Sequence, residues 1–166
     1  ISSVPEHFIS TFNKTLKSIG AGVEDKGNGV WRYYYQPMTS TNIETSPYPG
    51  FVTDWQPLFA VLLTQAEGSS TIHERIFENR FSYVEELVKL GAQISYIDKQ
   101  ISDPQAHYHF NFDSEKEYQQ TIQIDGGHEL HGAVLNVSDL RAGATLAIAA
   151  LISQGESYVH GIHHLE

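Results

Sequence analysis

Residues 53–72 read TDWQPLFAVLLTQAEGSSTI, and this stretch predicts a helix, a glycine turn and a strand in direct succession. Thr53 and Gln56 have the spacing of a capping box at the start of a helix. Apolar side chains then recur at helical spacing, and Gly68 is typical of a helix end. Residues 70–76 follow as a predicted strand.

The same order of elements returns near the end of the chain. Residues 138–160 read SDLRAGATLAIAALISQGESYVH, which again predicts a helix, a glycine turn and a strand. A second pattern also recurs, because residues 11–23 and 83–94 both read as an amphipathic helix followed by Gly-Ala and a strand residue. Such internal repetition predicts an α/β chain built from β-α-β-α-β-β units, with helices on one face of mixed sheets.

Helical periodicity and β-branched runs place the remaining elements. The predicted helices cover residues 5–19, 53–67, 81–90 and 138–153. The predicted strands cover residues 30–35, 70–76, 93–97, 121–124, 133–137 and 156–160. Residues 45–50 predict a loop, and residues 98–120 predict a polar irregular segment with a short hairpin near residues 108–112. A length of 166 residues suits one domain with its own core.

The composition excludes several classes of protein. A net charge of −10 argues against nucleic acid as the main partner, because phosphate backbones are bound by clusters of Lys and Arg. The chain contains no cysteine, which excludes disulfides, thiolate metal ligands and a cysteine nucleophile within it and fits a cytoplasmic protein. No apolar run approaches the length of a membrane helix, which is about 20 residues.

Nine histidines raise the question of a metal site. His107 and His109 would share one face of a strand, and a second cluster near the chain end comprises His160, His163 and His164. Zinc sites bring three or four ligands together. With no cysteine and with most of these histidines in loops, we expect no metal ion.

Two aspartates begin predicted helices, and two arginines lie beside such starts. Asp54 and Asp139 each have two interpretations: a cap that satisfies free backbone N–H groups, or a carboxylate aimed as a general base. Periodicity does not choose between the two aspartates. Arg80 follows a predicted strand, and Arg141 lies in a first helical turn. Each arginine is either a solvated side chain or, together with free helix N–H groups, part of a site for phosphate or carboxylate.

Six motifs follow one another along nearly the whole chain. They are YPGFVTDWQ at residues 48–56, LTQAEG at 63–68, IFENRF at 76–81, LHGA at 130–133, DLRAGA at 139–144 and GIHHLE at 161–166. Together they resemble the enolpyruvyl transferase family, and within it the UDP-N-acetylglucosamine 1-carboxyvinyltransferases. The resemblance implies an inside-out α/β barrel lobe made of β-α-β-α-β-β units. It implies a single domain over residues 1–166 with about two units, at 1–97 and 98–166, and with residues 98–120 inserted.

The resemblance also implies a reaction and a site. Enolpyruvyl transfer adds phosphoenolpyruvate to the 3′-hydroxyl of UDP-N-acetylglucosamine and then releases phosphate, without a cofactor, as the first committed step of peptidoglycan synthesis. By position, Asp54 matches the aspartate that binds the sugar hydroxyl and is the proposed base. Ile76 and Phe77 match residues that contact the nucleotide sugar. Arg80 and Arg141 match arginines near phosphoenolpyruvate and the intermediate.

We expect this chain to be a fragment of the C-terminal lobe that is inactive by itself. The family's reactive loop and Lys-Asn pair belong to the other lobe, and its Arg-Gly-Tyr-Glu sequence would follow Glu166. Two rival functions stay open: a related transferase that uses shikimate 3-phosphate, and a non-catalytic lobe that binds a nucleotide sugar with a partner. Asp54 favours a transferase, since a pure binding module needs no base.

Overall fold

The computed structural model describes residues 1–137, 139–161 and 163 of the chain. The helices in this part are α1 Glu6–Ser18, α2 Gln56–Thr64, α3 Val84–Lys89, α4 Pro104–His107 and α5 Leu140–Ile152. The strands are β1 Gly22–Asp25, β2 Trp31–Tyr34, β3 Asn42–Glu44, β4 Gly68–His73, β5 Gln93–Tyr96, β6 Thr121–Gly126, β7 Val134–Asn136 and β8 Tyr158–His160. A 3-10 turn, Thr53–Trp55, leads directly into α2.

Four of the strands form one mixed sheet in the order β3-β4-β6-β5. β3 is parallel to β4, whereas β6 lies antiparallel to both β4 and β5. Along the chain, these strands and two helices run β3-α2-β4-α3-β5-β6. This order is one complete copy of the predicted β-α-β-α-β-β unit, and it occupies residues 42–126.

The elements before and after this unit match parts of the same β-α-β-α-β-β order. α1 precedes the antiparallel pair β1-β2, as α3 precedes the antiparallel pair β5-β6. β7, α5 and β8 form a parallel β-α-β arrangement that repeats β3-α2-β4. An isolated parallel bridge also recurs, between Thr39 and Glu67 in one copy and between His131 and Gln154 in the other. The predicted internal repeat is therefore confirmed.

The strand pairing bears on where the repeat units divide. β6 is hydrogen-bonded to β5, with Ile94 opposite Ile124. A division between residues 97 and 98 would separate these two neighbouring strands. We therefore propose a repeat boundary after β6, with residues 98–120 as a long connection inside one unit.

The core lies between the central sheet and the helices α2 and α5. Ile72 on β4 and both Ile122 and Ile124 on β6 are fully buried on the same face of the sheet. Leu63 of α2 and Leu146 of α5 are fully buried as well. α2 contacts the sheet and α5 together, which explains why its sequence is apolar on most sides rather than along one stripe.

The structure corrects several local predictions. β1 and β3 are absent from the predicted strands, because short segments with acidic residues and few apolar ones show no clear alternation. α3 begins at Val84 instead of residue 81, since Phe81 and Tyr83 turn into the core ahead of the helix. Residues 108–112, all of them described, form no hairpin. The ring of Tyr108 stacks instead on that of Phe112, with centroids 5.6 Å apart.

Two histidines join the segment between β5 and β6 to the sheet. His73 Nε2 lies 2.9 Å from His107 Nε2, and His73 Nδ1 lies 2.7 Å from Thr121 Oγ1. Arg75 donates two further hydrogen bonds to the His107 carbonyl oxygen, at 3.1 and 3.0 Å. Burial lowers the pKa of His73 to about 4, and the positive charge of Lys99 adds to this effect. The ring is therefore neutral at pH 7.

Acidification should destabilise the fold through His73. Its pKa of about 4 in the folded protein lies below the ordinary value of 6.5, so the unfolded chain binds the proton first as the pH falls. The stability that the neutral ring contributes is complete above pH 6.5 and is lost progressively from there down to about pH 4. When the pH is lowered from about 7.5 to about 5.5, we expect protonation of His73 in the unfolded chain to lower the free energy of unfolding by about 1 kcal/mol.

Urea unfolding at these two pH values checks this expectation. His73→Gln keeps a polar side chain but removes the titrating group, so the pH dependence should become smaller in this variant. His128→Gln, which changes an exposed histidine, serves as the control and should leave the pH dependence unchanged. An equal pH dependence in the unmodified protein and in His73→Gln would contradict the assignment.

Candidate active site

Asp54 lies in the 3-10 turn in front of α2, with its side chain 70% exposed. Its Oδ1 accepts a hydrogen bond from Arg80 Nη2 at 2.9 Å and another from Arg141 Nε at 3.1 Å. Arg80 comes from the loop between β4 and α3, and Arg141 comes from the first turn of α5. The fold thus brings together three charged residues, although the arginines stand 26 and 87 positions from Asp54 in the sequence.

The turn that carries Asp54 is held by Thr53, but not through a capping box. Thr53 Oγ1 donates to Glu74 Oε2 at 2.7 Å, and no side chain caps α2 or the turn before it. Gln56 is buried, and its Oε1 accepts a hydrogen bond from the Tyr83 hydroxyl at 3.0 Å. The predicted capping box is therefore wrong. A buried carboxylate binds the threonine hydroxyl instead, and charged acceptors form the stronger hydrogen bonds.

Asp139 caps the start of a helix with its side chain, whereas Asp54 does not. Its Oδ1 accepts hydrogen bonds from the backbone N–H groups of Arg141 at 2.9 Å and of Ala142 at 3.0 Å. This is the geometry of an N-cap at the start of α5. Ser82 Oγ donates to the other carboxylate oxygen at 3.1 Å. The capping interpretation of Asp139 is confirmed, and its cap fixes the helix turn from which Arg141 extends.

Arg80 is the more enclosed of the two arginines. Its side chain is 13% exposed, against 56% for Arg141, and its guanidinium carbon lies 4.4 Å from the centre of the Phe77 ring. Burial lowers the pKa of Arg80, and the positive charge of Arg141 lowers it further, whereas Asp54 and Glu74 act in the opposite direction. Within the described residues, the buried Arg80 Nε has no hydrogen-bond partner.

Ile76 and Phe77 lie in the same loop as Arg80. The Ile76 side chain is partly buried, and Phe77 is 49% exposed beneath the guanidinium of Arg80. Both backbone N–H groups donate to Glu74 Oε1, at 2.7 and 3.2 Å. The structure therefore places the two residues beside the charged cluster, and Phe77 offers an apolar ring there.

Two residues that support the loop of Arg80 were not predicted from the sequence. Glu74 and Gln120 are both buried, and Gln120 Nε2 donates to the carbonyl oxygens of Glu74 at 2.9 Å and of Phe77 at 2.8 Å. Gln120 Oε1 accepts from the Asn79 N–H at 2.7 Å. A sequence signal existed for Glu74, because it is the one acidic residue inside the predicted strand at residues 70–76. Nothing distinguishes Gln120 from other polar residues of its segment.

The arrangement can hold an anion and accept a proton at the same place. Two guanidiniums meet at the Asp54 carboxylate, and guanidinium groups are well suited to binding a phosphate or carboxylate ligand. Asp54 Oδ1 is occupied by the arginines, while Oδ2 makes no hydrogen bond with any described residue. Oδ2 is thus available to a ligand hydroxyl.

His107 pairs with His73, and no group of three or more histidine, aspartate or glutamate residues with metal-binding geometry occurs in the described part of the chain. His160 and His163 belong to this part, whereas His164 lies outside it. Among the same residues, every helix is too short or too polar to cross a membrane.

This chain is an α/β protein built from β-α-β-α-β-β units, and it holds an aspartate between two arginines. Such an arrangement is suited to proton transfer beside a bound anion. A family model described as EPSP synthase (3-phosphoshikimate 1-carboxyvinyltransferase) matches residues 3–166. The chain belongs to this family.

Curated relatives of this chain are named UDP-N-acetylglucosamine 1-carboxyvinyltransferase. The protein from Desulfatibacillum aliphaticivorans is 39% identical over 164 residues, which are 99% of this chain and 34% of that protein. The protein from Chlamydia muridarum is 40% identical over 151 residues, which are 90% of this chain and 33% of that protein. The chain therefore spans about a third of the length of the relatives it matches.

Solved structures show the same fold. The enolpyruvyl transferase NikO from Streptomyces tendae is similar with a TM-score of 0.74 and 27% identity, over 95% of this chain and 32% of that chain. EPSP synthase from Acinetobacter baumannii is similar with a TM-score of 0.55 and 16% identity, over 88% of this chain and 31% of that chain. The enolpyruvyl-transferase fold that the motifs predict is confirmed.

Proposed function

We propose that this chain is one part of a UDP-N-acetylglucosamine 1-carboxyvinyltransferase, and we call the longer protein that contains it the parent enzyme. The parent enzyme transfers the enolpyruvyl group of phosphoenolpyruvate to the 3′-hydroxyl of UDP-N-acetylglucosamine and releases phosphate, for peptidoglycan synthesis in the cytoplasm. The observation that carries this proposal is the Asp54 carboxylate, held by Arg80 and Arg141 with one oxygen available. The names of the relatives supply the substrates.

Each of the three charged residues has a role in the proposed chemistry. The hydroxyl oxygen forms a bond to carbon 2 of phosphoenolpyruvate while the double bond between carbons 2 and 3 opens. The hydroxyl proton passes to Asp54 Oδ2, and carbon 3 takes up a proton from a general acid in the rest of the parent enzyme. Carbon 3 then loses a proton as the carbon–oxygen bond to phosphate breaks, which restores the double bond and releases inorganic phosphate. Arg80 and Arg141 neutralise the carboxylate and phosphate of the substrate, and their positions are set before it binds. No cofactor takes part in these steps.

Ile76 and Phe77 are the proposed contacts to the nucleotide sugar. Phe77 has an exposed ring next to Arg80, and a ring of this kind can pack on the apolar face of a sugar or a base. The rival acceptor, shikimate 3-phosphate, has no nucleotide to occupy this surface. Thermal-shift measurements on the parent enzyme with each acceptor separate the two, and stabilisation by shikimate 3-phosphate alone would favour the rival.

The exposure of the cluster supports a second lobe as partner. The Asp54 side chain is 70% exposed and that of Arg141 is 56% exposed, so this part of the site lies open on one side. Enolpyruvyl transfer needs an enclosed site, because water competes with the sugar hydroxyl. We therefore propose that the other lobe of the parent enzyme covers the cluster and supplies the remaining catalytic groups.

Phosphate release tests the function and the need for the second lobe together. The parent enzyme should release phosphate when both phosphoenolpyruvate and UDP-N-acetylglucosamine are present, and none above background when the acceptor is omitted. The isolated chain of residues 1–166 should show no turnover under the same conditions, because about half of the site is missing. Clear turnover by the isolated chain would contradict the two-lobe proposal, and an inactive parent enzyme would contradict the function.

A further inference from the structure

Glu74 stands out among the buried residues because it is a carboxylate without an ion pair. It directly follows β4 and is fully buried, and none of the ion pairs among the described residues includes it. Burying an ionised carboxylate is costly unless hydrogen bonds compensate. Four hydrogen bonds do so here, from Thr45 Oγ1 at 2.9 Å, Thr53 Oγ1 at 2.7 Å, the Ile76 N–H at 2.7 Å and the Phe77 N–H at 3.2 Å.

Three of the four donors belong to segments that carry the proposed site. Thr53 precedes Asp54 in the 3-10 turn and binds Oε2 of Glu74. The N–H groups of Ile76 and Phe77 bind Oε1 and begin the loop that leads to Arg80. One buried side chain therefore joins the turn of the carboxylate to the loop of the enclosed arginine, and these two groups meet at 2.9 Å.

The charge of Glu74 also acts on the arginine. Burial lowers the pKa of Arg80, and the negative charges of Asp54 and Glu74 raise it again. Removal of the Glu74 charge would therefore leave the Arg80 guanidinium less well compensated in its buried position. A neutral residue of the same shape would not reproduce this effect.

We infer that Glu74 is a positioning residue for the proposed transfer, and that its carboxylate sets the placement of Asp54 relative to Arg80. The inference rests on the proposed function, since positioning has meaning only if Asp54 and Arg80 act on substrate. Glu74 itself is buried and does not touch the substrate. Its effect passes through the Thr53 hydroxyl on one side and the backbone of Ile76 and Phe77 on the other.

Two threonines offer a matched test in the parent enzyme. Thr45→Val and Thr53→Val each replace a buried threonine with a residue of similar shape, and each removes one hydroxyl that donates to Glu74. Thr53 adjoins Asp54, whereas Thr45 follows β3, and its hydroxyl also accepts a hydrogen bond from the Arg75 N–H at 2.8 Å. Both variants should lower the melting temperature. Thr53→Val should lower kcat by about tenfold and clearly more than Thr45→Val, with a much smaller change in KM, because misplacement of the reacting groups affects the chemical step.

Equal losses of kcat in the two threonine variants would overturn the inference, because a purely structural role predicts the same effect from either lost hydroxyl. So would an unchanged kcat in Thr53→Val. This comparison does not depend on Glu74 variants, which lose several hydrogen bonds at once and can fail to fold.

A double-mutant cycle gives the second test. Glu74→Gln introduces an NH2 group in place of an oxygen that accepts hydrogen bonds, so at least one donor loses its partner. We expect Glu74→Gln to lower kcat by about 10- to 100-fold in the parent enzyme. In an Asp54→Asn background the same change should lower it by less than about threefold, since residues that act through one another are not additive.

The outcomes separate the two proposals. If the kcat losses of Glu74→Gln and Asp54→Asn multiply in the double variant, the positioning role is overturned. The proposed function is not, because the unmodified parent enzyme is active. A parent enzyme without phosphate release in its unmodified form would overturn the proposed function itself, and this inference with it.

Discussion

Replacing Asp54 with asparagine in the parent enzyme should lower kcat by about 10²- to 10⁴-fold, the range that a positioned general base contributes. Asparagine keeps the shape of the side chain and an oxygen for one arginine, but it cannot take a proton from the sugar hydroxyl. KM for UDP-N-acetylglucosamine should change far less than kcat, because ground-state contacts are largely kept. Steady-state phosphate release with both substrates varied measures the two quantities.

The matched control is Asp139→Asn. It makes the same substitution at the other helix start, and asparagine is as good an N-cap as aspartate, so the hydrogen bonds to the N–H groups of Arg141 and Ala142 can form again. This variant should keep kcat within about threefold. If Asp54→Asn also keeps its kcat within that range, Asp54 is not the base and the non-catalytic binding lobe becomes the better reading. A rise in KM with an unchanged kcat would assign Asp54 to substrate binding.

Gly126→Ala should cause a large loss of stability, although it adds only one methyl group. A Cβ at this position would lie 2.1 Å from the Ala66 carbonyl oxygen and 2.3 Å from the Leu63 carbonyl oxygen. Both are backbone atoms at the end of α2, so neither can swing aside as a side chain could. β6 must move away from α2, and we expect a loss of about 3 kcal/mol in the free energy of unfolding.

Thermal unfolding of the parent enzyme tests this expectation, with a fall of about 10 °C in the transition that reports on this lobe. Asp125→Ala is the control, because it changes the preceding residue of β6, whose side chain is exposed. Its effect should stay within about 0.5 kcal/mol. A stability of Gly126→Ala equal to that of the control would mean that β6 and α2 are not packed as closely as described.

Much of the fold could be predicted because its long elements have local causes. α2 and α5 lie in apolar runs of helical length, and each is followed by a turn and a strand, which is why the internal repeat is legible in residues 53–72 and 138–160. β1 and β3 escaped prediction because their position depends on a partner. β3 has three residues, and only Ile43 is buried, so it is a strand because β4 lies parallel beside it.

The candidate site, like the fold, could be predicted in part from the sequence. Residue chemistry in the sequence marked Asp54, Arg80 and Arg141 as candidates, since anions require cations and proton transfer requires a base. Periodicity left Asp54 and Asp139 equivalent, because both precede an apolar helix, and the family resemblance selected Asp54. The tertiary structure shows the physical difference between them: Asp139 turns back to its own helix, while Asp54 is turned towards arginines 26 and 87 positions away. Local propensity acts within a few residues, whereas the packing of α5 against α2 and the hydrogen bonds of buried Glu74 to the Asp54 turn and the Arg80 loop determine which charges meet.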